Sequence, residues 1–175
     1  MAEDPKMILM DVAGLTLDPV SNAPVVVLKE REGNRIVPIW IGIMEAQAIV
    51  QVIEKIAVPR PLTHDLMHNI LKEMDVKIEG VEINDLKDNT FYAVILAKFE
   101  NKVHRIDSRP SDAIALALRT QAKIAVAEFV VEQAKAEIVG DAKDLLSLSE
   151  KGGGKDKWTK ILESLSEEAF GKYKQ

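Results

Sequence analysis

A chain of 175 residues, 47% hydrophobic and 29% charged, can bury one good core and is short for two comfortable domains. Cysteine is absent, which removes a disulfide framework, a thiolate metal centre and a thiol nucleophile. The net charge of −5 lacks the basic surplus of a protein that grips many phosphates, so any contact with nucleic acid must be local, transient or assisted by a cation.

The opening, MAEDPKMILMDVAG, is acidic and lacks the basic region and apolar stretch of a signal peptide. No apolar run approaches the roughly 20 residues of a membrane span, and the expected compartment is the cytoplasm. Residues 7–18 alternate loosely and are rich in Val, Ile and Leu, which predicts a strand. SNAP is a turn cluster, VVVLKE a second strand, REGN a hairpin turn and RIVPIWI a third strand. Pro38 cannot donate to a ladder, so that strand belongs at an edge or carries a bulge.

Gly42 breaks the strand. Residues 43–56 place Met44, Ala48, Ile49, Val52 and Ile56 near helical spacing. AVPRP ends that helix, because Pro59 and Pro61 disfavour helical backbone just before them. THDLMHNILKEMD predicts a second helix with Leu66, Ile70 and Met74 on one face. Residues 76–86 alternate as a strand, with Gly80 shifting the phase as a bulge does. TFYAVILAKFE and VHRID are two further strands around a short NK turn. AIALALRTQ is a third helix, and KIAVAEFVVEQA begins as a strand and ends as a helix.

Strands grouped by hairpin turns, with helices grouped apart, define an α+β fold with a largely antiparallel sheet and helices packed against it. The domain is expected over residues 1–139. Residues 140–175 form a C-terminal helical appendage: a Gly-rich linker at 151–155, then an amphipathic segment with Trp158, Ile161, Leu162 and Leu165 on one stripe.

Two helix starts resemble one another. RPLTHDLMHNIL begins at Arg60 and RPSDAIALALR at Arg109. Capping explains part of this: Thr63 and Ser108 or Ser111 suit an N-cap, Pro61 and Pro110 suit the first turn, and Asp65 and Asp112 meet the positive end of the helix dipole. Capping does not require Arg, His and a second acid nearby. Asp107 ends a strand and Asp112 begins the next helix, so one turn presents two carboxylates and Arg109. Oxygen-rich sets of this kind suit Mg²⁺ or Mn²⁺, and a guanidinium fork matches phosphate. Those are the parts a phosphodiester hydrolase needs.

His64 and His68 in HDLMH stand four apart and are similar to the zinc motif H-E-x-x-H with Asp for Glu, but no third ligand follows at an evident spacing. His64, beside Asp65, is the better general base or phosphate contact, and His104 reads as structural or surface. Glu45 after Gly42 reads as a capping-box residue or a carboxylate ligand. Trp40 reads as a core or interface aromatic. The phosphate-loop, dinucleotide and nucleophile-elbow motifs are absent.

VPIWIGIMEAQAI, RPLTHDL, FYAVI and IDSRPSDAIALALR together resemble the bifunctional nuclease domain, from about residue 7 to 136. The resemblance implies an α+β domain and, from plant relatives, cleavage of both DNA and RNA. Its marked positions fall here on Trp40, Gly42 and Glu45; on Arg60, Pro61, Thr63, His64 and Asp65; and on Asp107, Arg109, Pro110, Ser111 and Asp112. The family often has Asp-Ala-Arg-Pro-Ser-Asp, and this chain has Ser108 in the second place, a mild exchange.

The expected function is hydrolysis of DNA and RNA with low sequence specificity. Asp107, Asp112 and Asp65 serve metal or water activation, Asp107 and Asp112 being the metal ligands. His64 acts as base, and Arg60, Arg109 and Ser111 hold substrate. The alternative is a non-enzymatic, dimeric binding or regulatory module whose helix-start acids are structural. A homodimer fits both.

Overall fold

The computed structural model describes residues 5–137 and Ser147. The expected appendage at 140–175, with its linker, otherwise lies outside the described residues. In chain order the elements are β1 (Met7–Leu17), β2 (Pro24–Glu30), β3 (Ile36–Trp40), α1 (Ile43–Ile53), α2 (Thr63–Glu73), β4 (Lys77–Lys87), β5 (Thr90–Phe99), β6 (Lys102–Ser108), α3 (Pro110–Thr120), β7 (Lys123–Ala127) and α4 (Glu128–Glu137). The architecture is α+β, as its grouped strands and helices predict.

The seven strands make one sheet in the order β3-β2-β1-β7-β4-β5-β6. Two three-stranded antiparallel meanders, each followed by a helix, are joined through the short β7. That strand runs antiparallel to β1 and parallel to β4, which makes the sheet mixed. Pro38 lies on β3, the outer strand of the first meander, where its missing N–H costs no ladder bond on the open side.

Bulges set which side chains enter the core. The register of β1 against β2 shifts between Val12 and Gly14, so Ile8 and Met10 before the shift and Leu15 after it are all buried. Gly80 marks the predicted shift in β4. A Cβ there would sit 3.3 Å from the Lys123 carbonyl oxygen of the parallel neighbour, tighter than a side chain tolerates without local movement. A second shift follows between Ile83 and Asp85. Strand β2 is buried on both faces: Val26 and Leu28 join the main core, while Val25 and Val27 form a small cluster with Ile36.

Helix α3 is the hub. Ala113, Ile114, Ala115, Leu116 and Ala117 are at most 1% exposed. Its three alanines present little bulk, which lets α1 and α2 lie against it while it rests on β4, β5 and β7. Helix α2 takes the opposite role, for none of its residues is buried. Its apolar positions Leu66, Ile70 and Met74, which helical spacing places on one face, are 54%, 49% and 59% exposed. That face turns outward because α2 reaches the rest of the protein through its first turn and its α3 side. The face of α1 agrees with the spacing Met44, Ala48, Ile49, Val52 and Ile56 only in part: Ile49 is buried, but the other buried residues are Ala46, Val50 and Gln51, and Met44 is exposed.

Candidate active site

The starts of α1, α2 and α3 converge at the mouth of one cleft of about 940 Å³, closed below by β5 and β6. Glu45 is the third residue of α1, His64 the second of α2 and Asp112 the third of α3. Three helix N-termini, each carrying the positive end of a helix dipole, therefore border one cleft.

The polar groups form a chain. His64 Nε2 lies 3.0 Å from Asp112 Oδ1. Arg109 donates from Nε to Asp112 Oδ2 at 2.6 Å and from Nη1 to Glu45 Oε1 at 2.8 Å. Its Nη2 has no hydrogen-bond partner among the described residues, and the side chain is 64% exposed. Burial pushes the Asp112 carboxyl up, but its bonds to Arg109 and His64 outweigh that and hold it below the ordinary aspartate range. Asp112 is therefore an anion at neutral pH. A neutral His64 ring paired with it carries its proton on Nε2, which leaves Nδ1 as the acceptor.

A second cluster stands directly behind. Arg119, with a side chain only 5% exposed, donates from Nε to Asp65 Oδ1 at 2.6 Å. Its Nη1 reaches the carbonyls of Ala48 and Ala115, both at 2.9 Å, and its Nη2 reaches Gln51 Oε1 at 3.3 Å. One side chain of α3 thus ties α1 to α2. Asp65 also accepts the Leu62 N–H at 2.9 Å, capping α2. Burial pushes the Asp65 carboxyl up, and Arg119 together with the Leu62 N–H holds it down by more.

Of the residues singled out from sequence, His64, Asp107, Arg109 and Asp112 line the cleft together. Asp107 is exposed near the end of β6, and its carboxylate takes no hydrogen bond among the described residues. Asp65 stands behind the cleft wall, paired to Arg119. Ser111 is buried and lines a neighbouring cavity instead. Arg60 is exposed, lines neither cavity and has no ion pair among the described residues. His68 borders a separate small hollow with Asp75 and Lys77, and His104 is exposed on β6.

The caps differ from the sequence expectation. Leu62 and Arg109 are the N-caps, with Thr63 already inside α2, Pro110 in the first turn of α3 and Ser111 beyond it. Ser108 Oγ instead donates to the Arg109 carbonyl. Glu45 makes no capping bond to Gly42; its carboxylate goes to Arg109. Trp40 is 43% exposed and donates from Nε1 to Asp18 Oδ2 at 3.1 Å. Sequence reasoning missed Arg119, and its signal was slight: a lone cation in an otherwise apolar helix.

Among the described residues no three His, Asp or Glu side chains are grouped as a metal cage, and no helix is long and apolar enough to cross a membrane. The geometry defines an α+β protein with a cleft that offers a carboxylate-paired imidazole and an open guanidinium at helix starts, and a free carboxylate on β6.

The family follows from comparison. A model of the bifunctional nuclease domain matches residues 26–139, and the chain belongs to that family. It is also 35% identical over 159 residues to an uncharacterized protein of Mycobacterium tuberculosis strain CDC 1551, covering 91% of this chain and 95% of that one. The counterpart in strain H37Rv matches equally.

Proposed function

We propose that this protein hydrolyses phosphodiester bonds of DNA and RNA with low sequence specificity, assisted by Mg²⁺ or Mn²⁺. The observation that supports this most is the 3.0 Å contact between His64 and Asp112, which joins the two look-alike helix starts in one cleft.

The residues divide the work. Asp112 holds the His64 ring by Nε2. Nδ1 is then the atom that takes a proton from an attacking water. Arg109, fixed by Glu45 and Asp112, offers Nη2 to a phosphate oxygen. The convergent helix starts add positive potential where the phosphate sits, offsetting the acids around it. Asp65 stands behind the cleft wall and pairs with Arg119, which also lines the cleft; together they hold α2 so that His64 meets Asp112. Arg60 and Ser111 would meet substrate beyond the cleft.

Asp107 and Asp112 are the carboxylates that would hold the cation. Two carboxylates suit Mg²⁺, which commonly keeps water and takes further oxygens from a bound phosphate. Asp107 is free for this, whereas Asp112 already has both oxygens in hydrogen bonds. A bound cation would neutralise phosphate charge and make water a better nucleophile.

Purified protein with Mg²⁺ or Mn²⁺ is expected to degrade single-stranded DNA and RNA, and Asp107→Ala and His64→Ala each to abolish this. Activity that survives both substitutions would reject the site.

A second reading is a non-enzymatic dimeric module. It is favoured by the exposed face of Leu66, Ile70 and Met74 on α2 and by Asp65, which is engaged in capping and clamping. An exposed apolar face of this kind marks an interaction surface, and a homodimer is our reading of it under either function. Inactivity with both cations, together with a tight dimer, would establish the second reading over the first.

A further inference from the structure

An acidic protein that binds nucleic acid must gain affinity from something other than phosphate charge. The cleft has one exposed, partly free guanidinium, and its walls are largely apolar. A second cavity of about 280 Å³ adjoins it. The two cavities share Glu45 and Arg109 in their walls and no other lining residue. Arg109 therefore stands in a partition, with a hollow on each side and an open Nη2.

The smaller cavity holds two aromatic rings, Trp40 at the end of β3 and Phe91 at the start of β5. Trp40 is not a core residue: it is 43% exposed. It is not loose either, since Asp18 fixes the indole edge through Nε1. A tryptophan pinned by its edge keeps its faces free to stack. Aromatic residues are 5% of the chain, and two of them line this hollow on the far side of Arg109.

We propose that this hollow is a second nucleoside subsite, in which the base on the other side of the phosphate held by Arg109 stacks on Trp40 beside Phe91. The proposal rests on the nuclease reading for its substrate class. A phosphodiester joins two nucleosides, and a guanidinium between two cavities matches that connectivity. Stacking accepts any base, because every base has a π face, which agrees with low sequence specificity. It also relieves the charge difficulty: with few phosphate contacts, binding leans on the bases and depends only weakly on salt.

The test uses the full-length chain with Trp158→Phe, which leaves Trp40 as the remaining tryptophan. Oligothymidylate is expected to quench its fluorescence. For hydrolysis in Mg²⁺ or Mn²⁺, Trp40→Ala is expected to raise KM about tenfold with kcat within about twofold, and Trp40→Phe to restore most of the loss. Unchanged KM and no quenching in a protein that still hydrolyses single strands would overturn the subsite and leave the nuclease reading standing. Quenching with no hydrolysis would keep the subsite and remove the nuclease reading. A Trp40→Ala protein that sediments as a smaller species, with KM unchanged, would assign the indole to a subunit contact and overturn the subsite.

Discussion

Asp112 accepts from Arg109 with one carboxylate oxygen and meets His64 Nε2 with the other, so a single side chain couples the starts of α2 and α3. Replacing it with Asn keeps the shape and removes the charge. Asp112→Asn is expected to lower the rate on single-stranded oligonucleotide by about 10²–10⁴-fold, the range of a positioned proton-transfer group, while circular dichroism stays unchanged. Full activity in a folded Asp112→Asn protein would remove the His64–Asp112 pair from the mechanism.

Arg119→Met tests the clamp. The buried guanidinium serves Asp65, two carbonyls and Gln51, and removing it takes a donor from an acid and three other acceptors. Breaking the pair from one side is expected to cost about 3 kcal/mol, the lower end for a buried pair, because Asp65 keeps some contact with water. A fall in Tm of roughly 10 °C is expected for a chain of this length. A fall of under a few degrees would show that α2 is held by other contacts.

Acid stability follows from the same acids. Asp65 and Asp112 titrate below the ordinary aspartate range in the folded protein, because their arginine and other hydrogen bonds outweigh the opposing effect of burial. Groups depressed on folding contribute stability that is complete above about pH 4 and is lost as pH falls through their folded values. Thermal melts are expected to show this acid-side loss, with a shallower slope below pH 4 in Asp65→Asn. An identical slope in the variant would show that Asp65 is not protonated on acid unfolding.

Gly42→Ala isolates Glu45. A Cβ at position 42 would overlap Glu45 Oε2, and the carboxylate can move only by leaving its place beside Arg109. The conflict is with a flexible side-chain end, so stability is expected to change by under about 1 kcal/mol, within the range of ordinary surface substitutions. KM for single strands is expected to rise severalfold as Arg109 loses a support. An unchanged KM would show that Glu45 does not position the guanidinium.

Leu66→Asp places a charge on the outward face of α2. Sedimentation is expected to show a dimer for the natural chain and a monomer for the variant, with an unaltered far-ultraviolet spectrum. A dimer that persists would move the subunit contact elsewhere.

Local chemistry made the elements legible. Alternation located the strands, Gly80 its bulge, Pro38 the edge position and Arg-Pro the starts of two helices, because each of these depends on neighbours within a few residues. Which helix face is buried was not legible for α2, since its apolar stripe looks the same whether it meets a core or solvent. The role of Arg119 was not legible: its partners on α1 and α2 lie 54, 68 and 71 positions away.

The two look-alike starts divide along that line. The residue types needed for the site, and their places in the first turns of helices, follow from the chain itself. Arg109 is the N-cap of its helix and reaches Asp112 three residues on, a local pairing. Arg60 lies two residues before the cap of its own helix, and Asp65 takes its arginine from the far end of α3 instead. The packing of α3 between α1 and α2 decided that His64 would face Asp112 and that Asp65 would support the site from behind. A helix start exposes similar groups wherever it occurs; only the placement of its neighbours determines whether they meet an arginine, an imidazole or solvent.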